Sequence, residues 1–316
     1  MKNTPRCDLA IEAHEMLAAA NADDFSVKGV SVDISEDDGY IRVTRVRVDT
    51  EDGSRELGKP IGSYTTIEMP ARFYGEQKIY EQMCKRCAKE LESILYGKLT
   101  GEDDTVLVVG LGNRNITADA LGPKVIASLM ITRHLRKYVP EEIDEGIRPV
   151  CAIAPGVLGT TGMETEEIVY ALTEKINPKM VIVIDALCSG RVERINTTIQ
   201  ITDTGITPGA GVGNKRKTIN GETLGVPVIA IGVPTVVDAA TIAAAGIQAA
   251  FGENSNYDDA DNFEKLREAI DGEFGNMIVA PKDVDSIIDD VSSVIANGIN
   301  ISLHRGITLD DIDRYV

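Results

Sequence analysis

Between Val27 and Ile67, apolar residues alternate with polar ones in short stretches rich in β-branched side chains, the pattern of half-buried strands. The clearest stretch is "YIRVTRVRV", with Ile41, Val43, Val46 and Val48 apolar. Its alternation shifts at Thr44–Arg45, which predicts a bulge there. The turn clusters "SEDDG" and "TEDGS" bound it. From about Phe73 to Tyr96 the period changes to four, with Ile79, Met83, Cys87, Leu91 and Leu95 on one side of a predicted helix. Beyond Thr105 come short continuous apolar runs of the kind found in buried parallel strands: "TVLVVG", "RPVCAIAPG", "MVIVIDAL" and "VPVIAIGVP". Helical patterns separate or follow them. One opens at Pro123 and runs to about Tyr138, with Val125, Ile126, Leu129 and Met130 apolar. A second is "METEEIVYALTEKI", whose first turns carry acids as the helix dipole favours. A third is "DAATIAAAGIQAA". Strands alternating with helices imply right-handed crossovers and a sheet covered on both faces. The expected fold is α/β: a mixed, largely parallel sheet flanked by helices, with its core at 101–250 and an additional N-terminal β-rich region at 25–70. The stretch "GENSNYDDADNFE" reads as an exposed loop, and no internal repeat appears.

Composition narrows the partners. The chain has 316 residues and 43% hydrophobic content, enough for a sizeable core. Aromatics make up 4% and tryptophan is absent, so that core is aliphatic. A formal net charge of −18 repels nucleic-acid phosphates and anionic membrane surfaces. The first residues carry no apolar stretch long enough for a signal peptide, and no 18-residue apolar run occurs. Five cysteines, an odd number, suit a reducing cytoplasm. Cys84 and Cys87 form "CKRC", a spacing that zinc or redox chemistry can use, but no second pair accompanies them and they sit in the helical pattern. They read as helix packing. His14, His134 and His304 are far apart and form no ligand-spaced motif, so no metal and no cofactor is expected.

Chemistry is sought at strand ends, where open α/β sheets place their sites. "GLGNRNITADALG", Gly110 to Gly122, begins like a dinucleotide turn. The third glycine of that fingerprint is replaced by Asn115, and Asp119 would repel a bound phosphate. The turn therefore reads as a carrier of a carboxylate. Asp185 follows the apolar run "MVIVI", which delivers it to the sheet's rim. Two carboxylates in one cleft divide into a protonated acid and an ionised base able to activate water, or they ligate a divalent metal. Each also has a structural reading: Asp119 as a helix cap, Asp185 as a turn residue binding nearby amides. "TDTGITPGAGVGNKRK", Thr202 to Lys217, is glycine-rich and ends in cations; it reads as a flexible loop or an anion cradle, without the spacing of a P-loop.

Several long blocks carry a family resemblance: "GLGNRNITADALGPKV", "APGVLGTTGMET", "VIDALCSGRVERINTTIQITDTGITPGAGVGN", "GVPVIAIGVPTVVDA" and "ISLH". Together they resemble the germination protease, or spore protease, family from about Asp8 to His304. That family is remotely similar in fold to the hydrogenase maturation endopeptidases. The resemblance implies an aspartic-type endopeptidase of the spore core that starts degradation of small acid-soluble spore proteins during germination. It implies a zymogen, a homotetramer, and two essential aspartates matching Asp119 and Asp185. The substrates are cut after a glutamate followed by a bulky apolar residue and alanine. "CDLAIEA" has the same order of residue types, which places self-cleavage at Asp8–Leu9, with 1–8 as propeptide and 9–316 as a single catalytic α/β domain. The family usually has threonine where this chain has Cys7. The same "DLAIEAHEML" also reads as the first turns of an amphipathic helix. Two other readings are a hydrogenase-maturation-like metal-dependent endopeptidase, which would need a third ligand near the two acids, and a non-enzymatic nucleotide-binding protein.

Overall fold

The computed structural model describes residues 7–20, 27–37, 41–69, 76–209, 216–252 and 260–312. Its strands are β1 (Val30–Asp37), β2 (Ile41–Val48), β3 (Gly62–Glu68), β4 (Val106–Gly110), β5 (Val150–Ile153), β6 (Met180–Ser189), β7 (Thr198–Thr202), β8 (Val228–Asp238) and β9 (Ile278–Val279). They form one sheet in the order β1-β2-β3-β7-β8-β6-β4-β5, with β9 paired to β8. The mixed α/β architecture expected from the alternation is present. Parallel pairing is confined to β5-β4-β6-β8, and every other pairing is antiparallel. The parallel share is smaller than the apolar runs suggest because the β-rich N-terminal segment joins the same sheet through β7. That connecting strand, "TIQIT", alternates polar and apolar residues as a strand does, but it is short and does not stand out beside the continuous apolar runs.

Strand β2 carries no bulge. Its register with β1 and β3 is unbroken. The shifted alternation arises because both faces are buried: Ile41 and Val43 enter one core with Ile67, while Val46 and Val48 enter another with Tyr64. The helix read from Phe73 runs from Gln77 to Leu95, and residues 73–75 lie outside the described residues. The stretch after Pro123 is not one helix but two, Leu121–Ala127 and Arg133–Tyr138. Between them the chain turns inward: Met130 is fully buried with its N–H on Asn300 Oδ1 at 3.0 Å, and Thr132 N–H bonds Val150 O at 3.1 Å. Pairing with the sheet edge replaces helical bonds there. Among the described residues, no helix is long and apolar enough to cross a membrane.

The two sheet faces are covered differently. On one face, the helices Gln77–Leu95, Leu121–Ala127 and Val284–Leu303 cover a continuous aliphatic core containing Val106, Val108, Ile182, Ile184, Ile199 and Ile231. Cys84 and Cys87 are fully buried in it, as the packing reading expects. Burial pushes the Cys84 thiol up to about 12 and raises that of Cys87 as well, so both are protonated thiols. The opposite face carries two separate cores. One, around Val181, Val183 and Val228, lies under the helix Thr165–Ile176. The other, around Leu187, Tyr64 and Val46, lies under the N-terminal segment from Leu9. A cleft separates them.

Candidate active site

In the core order β5-β4-β6-β8 the chain passes from β4 outward to β5 and then back across to β6, so the crevice between β4 and β6 is a topological switch point. Asp119 and Asp185 both line the cleft there, with a volume of about 1080 Å³. Its floor is made of sheet residues that point away from the large core: Asp185 on β6, Ala230 and Gly232 on β8, and Gln200 and Thr202 on β7. These are small or polar and leave a gap above the sheet, although Leu187 packs directly on Gly232.

Asp185 does not end its strand. β6 continues to Ser189, while its neighbour β4 stops at Gly110 opposite Ile184. The carboxylate therefore lies at the rim of β4 rather than of β6. It is 6% exposed, and its Oδ1 accepts from the adjacent Ala186 N–H at 3.0 Å. Burial, then the charges of Asp119 and Asp8, push it well above the usual carboxylate range.

Asp119 reaches the cleft by a fold-back of the loop after β4. Gly112, at φ +109°, packs so closely on the Asp119 backbone that an added Cβ would lie 2.0 Å from the Asp119 carbonyl oxygen. Gly110 and Gly122 touch in the same way. The glycines thus bring the loop back upon itself, and the space a dinucleotide turn would offer a pyrophosphate holds Asp119 instead. Its Oδ2 accepts from Asn113 N–H at 2.8 Å, and Thr235 Oγ1 donates to Ala118 O at 2.7 Å, tying the loop to β8. The following helix starts at Leu121 without a side-chain cap bond, so Asp119 does not cap it. Burial raises its carboxyl, opposed by the Asn113 N–H.

The third carboxylate is Asp8, and only the tertiary structure places it in this cleft. The N-terminal helix begins at Ala10, which leaves Asp8 and Leu9 outside helical structure. The segment is fastened on several sides. Asp8 N–H bonds Cys188 O at 3.1 Å, and Asp8 Oδ2 accepts from Cys188 N–H at 2.9 Å. Leu9 is fully buried. Ala10 N–H bonds Gln200 Oε1 at 2.7 Å. Lys59 Nζ donates to Asp8 O at 2.8 Å and to Cys7 O at 3.3 Å. The helix behind is held by buried Glu12, whose oxygens accept from Ser189 Oγ at 2.6 Å and Gly190 N–H at 2.8 Å. Arg194 adds bonds to Glu15 at 2.7 and 2.9 Å and to Glu68 at 3.3 Å. Burial raises the Asp8 carboxyl, opposed by the Cys188 N–H and Lys59.

Three carboxyls with raised affinities for protons in one cleft can share protons and transfer them to and from water. The other candidates lie elsewhere. His304 is buried and accepts from Arg148 N–H through Nδ1 at 3.1 Å; burial and the Arg148 charge lower it to about 4. Of the glycine-rich loop, residues 210–215 lie outside the described residues. Of its three cations, Lys215 lies among the residues outside that description, while Arg216 and Lys217 pair with Glu164, Glu166 and Glu167. Among the described residues no cluster of three His, Cys, Asp or Glu side chains has the geometry to hold a metal ion. Sequence reasoning singled out Asp119, Asp185, Asp8 and Leu9 but missed Lys59, Gln200 and the Cys188 amide. No local pattern marks those three; they matter through what folds against them.

The sequence pattern of one family, described as germination protease, matches residues 10–270 and 249–316. A germination protease from Clostridium tetani is 48% identical over 326 residues, spanning 98% of this chain and 99% of that protein. One from Clostridium perfringens is 46% identical over 325 residues, spanning 98% of each. One from Bacillus mycoides is 40% identical over 359 residues, spanning 99% of this chain and 97% of that protein. Among solved structures, a [NiFe] hydrogenase maturation protease, HycI from Thermococcus kodakarensis, covers 66% of this chain and 98% of its own at 15% identity and a TM-score of 0.32, too distant to carry an argument.

Proposed function

Because this chain belongs to the germination protease family, we propose that it is an aspartic-type endopeptidase made as a zymogen, which cuts its own Asp8–Leu9 bond and then starts the degradation of small acid-soluble spore proteins in the spore core. Residues 1–8 are the propeptide and 9–316 the catalytic unit. The observation that carries this reading is that Asp8, outside any helix, lines the same cleft as Asp119 and Asp185, with Leu9 next to it in the chain and fully buried. A protease bond must lie in non-helical backbone within reach of the water-activating groups, and an intramolecular segment meets that condition at high effective concentration.

The two aspartates take different roles. Asp185, the more deeply buried and flanked by two other carboxyls, keeps a proton. Asp119, more open and stabilised by the Asn113 N–H, is the ionised partner. Water between them loses a proton to Asp119 as its oxygen attacks the Asp8 carbonyl carbon. Asp185 protonates the Leu9 nitrogen as the C–N bond breaks. Mild acid speeds the step, because protonating part of the triad relieves the repulsion that opposes docking of Asp8.

The homotetramer belongs to the same reading. Its support is the helix Ala239–Phe251, "AATIAAAGIQAAF", which is apolar nearly all round yet has only Ala240 and Thr241 buried among the described residues. A helix of that composition is normally covered.

The test is intact mass and N-terminal sequencing after incubation at mildly acidic pH. Wild type should yield a product beginning at Leu9. Asp119→Asn and Asp185→Asn should slow its formation roughly 100-fold or more. A stable product beginning elsewhere, or normal processing by either variant, refutes the assignment.

A further inference from the structure

The two aspartates leave one requirement of peptide hydrolysis unmet. Attack on a carbonyl moves negative charge onto its oxygen; the ionised Asp119 repels that charge, and the one proton of Asp185 is needed by the leaving amine. A donor or cation aimed at that oxygen is needed, at about 2.7–3.1 Å. The Asp8 carbonyl has such a partner: Lys59 Nζ at 2.8 Å. Gln200 Nε2 stands 3.5 Å from the same oxygen, while its Oε1 holds Ala10 N–H, so one buried side chain grips the backbone on both sides of Leu9.

We propose that Lys59 is a catalytic residue: its ammonium stabilises the oxyanion that forms on the carbonyl of the acidic residue before the cut bond, with Gln200 positioning that carbonyl. The assignment rests on cleavage at Asp8–Leu9. Lys59 is placed for it by local structure. The helix Glu51–Leu57 ends at Gly58 in the left-handed conformation, and Lys59 follows directly. Pro60 comes next, and its carbonyl oxygen is held by Tyr64 Oη at 2.7 Å. The turn is therefore anchored to β3, and the ammonium projects into the cleft that Asp119 and Asp185 line. Among the described residues its hydrogen bonds go to two carbonyl oxygens of the docked segment, Cys7 O and Asp8 O.

In the balanced step, the water oxygen bonds to the Asp8 carbonyl carbon and its proton passes to Asp119. The carbonyl electron pair shifts to Asp8 O beside the Lys59 ammonium, which keeps its protons. Collapse returns that pair, breaks the bond to Leu9 nitrogen, and delivers the Asp185 proton to the leaving amine. A cation at this point serves any substrate whose acidic residue precedes the bond, since the acid's own carboxylate is held separately by the Cys188 amide.

The test follows self-cleavage of the full chain across pH, comparing wild type with Lys59→Met and Lys59→Arg. Lys59→Met should cut at the same bond roughly 100-fold more slowly, the loss expected for one oxyanion donor, and the deficit should persist from neutral to acidic pH. Lys59→Arg should recover part of the rate. If Lys59 only balances the Asp8 charge, acid will erase the Lys59→Met deficit by protonating Asp8, and the proposal fails while cleavage at Leu9 stands. A normal rate in Lys59→Met has the same meaning. A wild-type product that does not begin at Leu9 removes the substrate placement and the proposal with it. If Lys59→Met does not fold, Lys59→Gln supplies the same comparison with a polar head.

Discussion

Replacing Gly112 with alanine tests the placement of Asp119 without touching a titratable group. An ideal Cβ at this position lies 2.0 Å from the Asp119 carbonyl oxygen and 3.0 Å from its Oδ1. Moving from 2.0 Å to an ordinary contact of 3.4 Å requires about 1.4 Å of displacement. The loop has little room to give, because Asp119 is tied to Asn113 N–H and Ala118 to Thr235. A reacting group misplaced by about 1 Å costs on the order of 100-fold in rate. The substitution also forces alanine to φ +109°, a strain of about 1–3 kcal/mol. Gly97→Ala separates the two effects: Gly97 has φ +75° but nothing within 4 Å of its added Cβ. Gly97→Ala should lose about 1–3 kcal/mol in denaturant unfolding from its backbone strain, and Gly112→Ala more, because the clash adds to that strain. Only Gly112→Ala should lose self-cleavage, by about 100-fold, as read by intact mass against time. Equal cleavage rates in the two variants would refute the claim that this glycine sets the position of a reacting carboxylate.

Two further outcomes follow from burial. Asp185 carries a proton affinity raised in the folded state, so the native protein binds more protons than the unfolded chain and its stability falls as pH rises above about 4. Asp185→Asn removes that cost: the variant should match wild type in strong acid and become progressively more stable than it toward neutral pH. An advantage that grows on acidification would contradict the sign. Cys87 is fully buried with its sulfur against the helix Val284–Leu303, where Gly298 leaves room for it. Replacing both Cys84 and Cys87 with serine should cost about 1–3 kcal/mol, chiefly for the polar group buried at Cys87, since Tyr80 and Asn297 lie within hydrogen-bonding reach of Cys84, while leaving proteolysis intact. Loss of activity that zinc restores would overturn the packing role.

What the sequence determined by itself is local. A continuous apolar run reports a buried strand, and a period near four reports a helix face, because both depend on neighbours within a few residues. Hence β4, β5, β6 and β8 and the helix Gln77–Leu95 were legible, as was the presence of an acid in the loop after β4 and of another behind the apolar run that opens β6. Tertiary structure decided what depends on distant partners. β7 joins two strand groups that the local pattern presents as separate regions, and the helix after Pro123 breaks because Met130 and Thr132 find bonds on Asn300 and Val150. The cleft exists because two cores on one sheet face leave a gap between them that small and polar residues such as Asp185, Gly232 and Gln200 line. Asp8 reaches Cys188 across 180 residues and Ala10 reaches Gln200 across 190. Contacts at that separation obey no period along the chain. They arise when strand order brings remote segments within hydrogen-bonding distance, and so a lysine in a surface turn acquires its partner, the Asp8 carbonyl, only in the folded protein.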